Sequence, residues 1–70
     1  MDVRARLREN MKRLRKARGW SQEELAHQAG LHRTYVSGVE RMVRNPTATI
    51  LDKLANALEV SIGELTDTAG

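Results

Sequence analysis

Punctuation constrains this chain more than any other feature. Gly19, Gly30 and the pair Asn45–Pro46 interrupt a pattern of apolar residues spaced three and four apart. The pieces between these breaks are short, so the chain can only fold as several short helices packed on one another. Val3, Leu7, Met11 and Leu14 lie on one stripe, which predicts a first helix over about residues 3–18 that Gly19 stops.

"SQEE" follows. Ser21 can accept from the Glu24 amide while the Glu24 carboxylate returns to the Ser21 amide, and Trp20 with Leu25 can staple the entry. A second helix is expected over about 22–29, with Gly30 as its left-handed cap. Only Leu31 and His32 separate that glycine from a third helix over about 33–41, with Val36 and Val39 turned inward. Two short helices joined through a glycine turn make a helix-turn-helix. Pro46 disfavours helix at Asn45. Thr47 then caps a fourth helix over about 48–58, whose Ile50, Leu51, Leu54, Ala55 and Leu58 form a wide apolar stripe. "SIGE" repeats the capping box at Ser61 and Glu64 and opens a fifth helix over about 62–66, after which residues 66–70 are expected to fray. The expected fold is one compact all-α domain of five helices spanning 1–70.

A chain of 70 residues buries only about 60 % of its unfolded surface, so its core is marginal when alone. It has no cysteine, which excludes disulfides and thiolate metal sites and leaves helix packing and oligomerisation as reinforcement. No apolar run exceeds two residues, which excludes a spanning segment and a signal-peptide core. The net charge is +3, but its placement says more. Residues 1–20 hold eight of the twelve basic residues against Asp2 and Glu9, whereas residues 45–70 set Lys53 against Asp52, Glu59, Glu64 and Asp67. One basic end points to a polyanion or an anionic membrane surface. With Trp20 and Tyr35 as its only aromatics, the chain lacks the stacking platforms of single-strand and RNA binders.

Catalytic and metal chemistry find no footing. Ser21 and Ser61 are explained as caps, and neither paired carboxylates nor a glycine-rich phosphate loop appear. His27 and His32 sit five apart on different helices, a poor spacing for a metal pair. The expectation is therefore no enzyme, no cofactor and no metal.

The combination "SQEELA", "AGL", "GVER" and "NPT…L…LA.AL.VS", running from about Leu14 to Ser61, resembles the lambda-repressor/Cro-type (XRE-like) helix-turn-helix family. Within it, "GLHRTYVSGVER.VRNPT" is similar to the controller proteins of restriction–modification systems. The resemblance implies a lambda-repressor-like DNA-binding domain whose third helix enters the major groove, acting as a homodimer on a pseudo-palindromic operator. Carried over residue by residue, it implies base contacts from Arg33, Thr34 and Ser37. It likewise implies phosphate contacts from Gln22, Arg41, Arg44 and Asn45, and a structural ion pair between Arg15 and Glu40. An arginine early in an exposed helix can donate two hydrogen bonds to guanine O6 and N7, a pairing worth about 1–3 kcal/mol of discrimination. Ser37 shares the Arg33 face at four-residue spacing. Tyr35 can lay its hydroxyl on the DNA backbone or cover the edge of the core. Arg44 can hold a phosphate or reach an adjacent minor groove. Two positions depart from the family: His32 stands at the helix-3 cap, and Gly38 stands where several relatives carry a longer, base-reading side chain.

A dimer is expected through Ile50, Leu51, Leu54, Leu58, Ile62 and Leu65, with the reading helices one DNA turn, about 34 Å, apart. The function expected is a transcription regulator acting on its own operon in a bacterial or phage-type cytoplasm, with RNA polymerase as a further partner. The runner-up is an antitoxin-type module that neutralises a partner protein. It ranks second because such proteins carry a toxin-binding extension and this sequence runs only about five residues past helix 5. A membrane-surface role for helix 1 ranks last, because its few apolar residues are needed by the core.

Overall fold

A computed structural model describes residues 3–66, which form helices α1 (Val3–Ala17), α2 (Gln22–Ala29), α3 (Arg33–Glu40), α4 (Ala48–Leu58) and α5 (Ile62–Thr66). The expected boundaries hold to within one residue, with Arg18 and Arg41 falling just outside α1 and α3. Residues 67–70, part of the segment expected to fray, lie outside the described residues.

Local chemistry sets the ends. The Ser21 hydroxyl accepts from the Glu24 amide at 3.0 Å, but the Glu24 carboxylate takes the Gln28 side-chain amide at 2.9 Å instead of closing the box. A partner one turn along the same face competes successfully for the carboxylate. At α5 the box is complete: Ser61 accepts from the Glu64 amide at 3.0 Å, and the Ser61 amide donates back to Glu64 at 3.1 Å. Gly30 ends α2 at φ 69°, where its amide donates to His27 and the Leu31 amide reaches back to Ala26. Glu59 does the same for α4 at φ 58°, a left-handed cap without glycine that the sequence pattern does not announce.

The helices enclose one core. Leu7 and Met11 of α1 meet Leu25, Ala26 and Ala29 of α2, Val36 and Val39 of α3, Leu54, Ala55 and Leu58 of α4, and Leu65 of α5. Trp20, Leu14, Leu31 and Tyr35 close its edges. This arrangement corrects the expected dimer face. Leu54, Leu58 and Leu65 are 0 %, 2 % and 0 % exposed within a single chain, so they fill the core and offer nothing to a second copy. Helix α5 is too short to bury Leu65 elsewhere, and α1 holds it: the Asn10 side chain donates to the Leu65 carbonyl at 2.9 Å. That bond satisfies one of the carbonyls that a helix end leaves open.

The buried charge lies where α1, α2 and α3 meet. Glu40, 5 % exposed, receives Arg15 through Nε at 2.9 Å and Nη2 at 3.2 Å, and Gln22 Nε2 at 3.0 Å. The third arm of Arg15 donates to the Trp20 carbonyl at 2.8 Å. Removing one partner of such a pair strands the other charge, which typically costs about 3–5 kcal/mol. Arg15→Ala is therefore expected to lose stability on that scale in urea unfolding, well beyond the ~1 kcal/mol of an ordinary surface change.

Candidate nucleic-acid interface

The Gly30 turn sets α3 across α2, and α3 divides its residues cleanly. Val36, Gly38, Val39 and Glu40 are buried, whereas Arg33 and Thr34 are exposed and Ser37 is half-exposed. Arg33 and Ser37, one turn apart, share the outer face. The three residues expected to read bases thus stand together on one surface, free of the core.

His32 caps this helix. The Thr34 amide donates to its Nδ1 at 3.2 Å, and the Thr34 hydroxyl lies 2.8 Å from the same nitrogen. An Nδ1 that accepts from a backbone amide carries no proton of its own. The Thr34 hydroxyl sits against the same nitrogen, so the amide and the hydroxyl share its single lone pair and the cap engages both groups of Thr34.

After α3 the chain turns back through Arg41, the C-cap, and Met42, at φ 62°. The Val43 and Arg44 amides both donate to the Gly38 carbonyl, at 3.0 and 3.2 Å. This folds the loop onto α3, with Arg41, Arg44 and Asn45 exposed. The Arg44 guanidinium sits over the Tyr35 ring, 5.3 Å from its centroid, and the half-buried ring rests against the core. Tyr35 therefore covers the core edge and supports Arg44 at once.

Gln22 spends one amide hydrogen on Glu40 and keeps a second for another acceptor. It lines a cleft shared by Arg8, Lys12, Arg15 and Lys16 of α1 and by Glu40, Arg41 and Met42 at the end of α3. Arg15 is neutralised by Glu40 and Arg8 pairs with Glu9 at 3.4 Å, so among the described residues Lys12, Lys16 and Arg41 are the cations of this cleft without a carboxylate partner. The sequence marks Arg8 and Lys12 only as members of the basic N-terminal third, and the packing of α1 brings them with Lys16 to this cleft. Their four-residue spacing was the available signal. Among the described residues, no group of three or more His, Cys, Asp or Glu is placed to hold a metal ion, and no helix is long and apolar enough to cross a membrane.

A helix-turn-helix family model matches residues 11–65 of the chain. The chain belongs to the helix-turn-helix family. Within it, the chain is 52 % identical over 64 residues to a hypothetical transcription factor of Neisseria meningitidis, a match covering 91 % of this chain and 60 % of that protein. The crystal structure of a hypothetical transcription factor from Neisseria superposes with a TM-score of 0.90 at 50 % identity, covering 94 % of this chain and 76 % of the other. Control protein C.SmaI of Serratia marcescens is 44 % identical over 70 residues, which is 100 % of this chain and 83 % of that one. The restriction–modification controller protein C.Esp1396I, solved as a tetramer with its natural 35 base-pair operator, matches at TM-score 0.80 and 33 % identity, over 96 % of this chain and 99 % of the other. Such family members are DNA-binding regulators.

The cap sets a test of its own. His32→Ala is expected to lower stability by about 1 kcal/mol in thermal unfolding, and His32→Asn to restore most of that loss.

Proposed function

We propose that this chain is a sequence-specific, double-stranded DNA-binding transcription regulator of the controller type, acting as a homodimer on an inverted-repeat operator and regulating its own operon. The observation that carries this reading is the outer face of α3. Arg33, Thr34 and Ser37 lie outside the core on a helix whose inner face is fully occupied, next to a loop of exposed cations. A helix in the major groove needs such a face, and the flanking phosphates need such cations.

In this reading Arg33 takes a guanine edge, while Thr34 offers its methyl to thymine and Ser37 reads beside Arg33. Gln22, Tyr35, Arg41, Arg44 and Asn45 hold backbone. Arg8, Lys12 and Lys16 extend the grip along α1, because they line the cleft that contains Gln22 and Arg41. The protein works by binding and carries out no catalysis; where it activates, RNA polymerase is its further partner. The dimer forms through the residues of the expected face that remain partly exposed, Ile50, Leu51 and Ile62.

Selection from a random duplex library at about 150 mM salt, where loose surface attraction is screened, tests the reading. An enriched inverted repeat with a guanine in each arm is the expected product. Salt-sensitive binding without enrichment would reduce the function to backbone gripping. On the selected operator, Arg33→Ala should lose about 1–3 kcal/mol and relax preference at one guanine per half-site, with little change on random DNA. Arg44→Ala should weaken both DNAs alike. Sedimentation should report a dimer for the native chain and a monomer for Ile62→Glu, whose operator affinity falls with it.

A further inference from the structure

Gly38 lies in the middle of α3, where glycine is a poor helix former, and nothing in its backbone conformation calls for it. Its surroundings do. A Cβ placed on Gly38 would stand 2.7 Å from Arg44 Cδ, 2.9 Å from Cγ and 3.1 Å from Nε. The three nearest atoms all belong to one side chain. No other helix approaches this closely; the arginine stem crosses the bare backbone and ends over the Tyr35 ring.

The exposed stem is held at both ends. The Arg44 amide is bonded to the Gly38 carbonyl, so the side chain starts directly above the helix it crosses. Cγ and Cδ lie in the inner part of the side chain, so pushing them away from the helix pulls on the guanidinium at the ring. We propose that Gly38 is a positioning residue for DNA binding: its missing side chain leaves a slot that holds Arg44 over Tyr35, with the guanidinium fixed for a phosphate. Rigid placement matters because a long arginine side chain otherwise loses rotamer freedom on binding. Gly38 touches no DNA in this scheme. It also explains why a longer base-reading side chain is absent here: it would occupy the slot. The inference rests on the reading of Arg44 as a backbone contact.

Two measurements on the full chain test it separately. In the free protein, NMR should show the Arg44 δ-methylene protons shifted upfield by the Tyr35 ring current, and Gly38→Ala should return them to ordinary values. On a mixed-sequence duplex, Arg44→Ala should reduce the slope of log affinity against log salt by about 1, the mark of one lost phosphate contact. Gly38→Ala should reduce it by a similar amount, and the double variant by no more than Arg44→Ala alone. Thermal unfolding checks that every variant is folded, and alanine in a helix interior favours that outcome. Arg44 protons still shifted in Gly38→Ala, or a native slope in Gly38→Ala beside a reduced one in Arg44→Ala, would overturn the positioning role. A native slope in Arg44→Ala defeats the backbone-contact reading of that residue and the inference with it. The ring-current result then shows that the slot exists but serves no phosphate.

Discussion

A carboxylate buried to 5 % exposure survives only if its charge is met on several sides, and Glu40 is met by both arms of an arginine fork and by an amide. The three residues of this network come from three helices. Arg15 stands in the last turn of α1, Gln22 opens α2, and Glu40 closes α3. One network therefore fixes where the first helix ends, where the second begins and how the third is aimed. The Arg15 bond to the Trp20 carbonyl adds the α1–α2 connection to the same knot. A hydrophobic core holds helices together without dictating angles to a fraction of a turn. A planar, bidentate pair is directional, and it lies beside the surface whose aim matters most.

Most of the fold was legible because its signals are local. Caps at Ser21, Thr47 and Ser61, the Gly30 turn and the three–four spacing of apolar residues each act within a few positions, and the helices appear where those signals place them. What was illegible depends on partners far along the chain. The stripe on α4 reads as wide enough for a core and a dimer face together, yet Leu54 and Leu58 are wholly consumed inside one chain. No spacing rule reveals that α5 would fold back, held by Asn10 across 55 positions, and bury Leu65. The left-handed cap at Glu59 was missed for a different reason, since its conformation is imposed by the closing turn and not by residue type.

The candidate site divides along the same line. The exposed placement of Arg33, Thr34 and Ser37 was legible from helical phase, while their proposed role came from family resemblance, as did the ion pair of Arg15 and Glu40. The coupling between Thr34 and His32 was not, because it turns on which ring nitrogen faces the helix. Nor was the gathering of Arg8, Lys12 and Lys16 around the cleft of Gln22 and Arg41, which requires knowing how α1 lies against α2. Charge counted along a sequence gives a total, and only the packing of helices turns it into a direction.

Under the proposed function, the split of α3 into an inner face that folds and an outer face that reads has a consequence for how such proteins diverge. Val36, Val39 and Glu40 carry the obligations to the core, and Arg33 and Ser37 carry none. On that reading, substitutions at the outer positions change what is recognised without taxing stability, so a lineage can exchange one operator for another in single steps while the scaffold stands still. Thr34 is the exception, since its hydroxyl also serves the cap. Drift at that position is tethered to the helix it belongs to, and specificity there should change more slowly than at its neighbours.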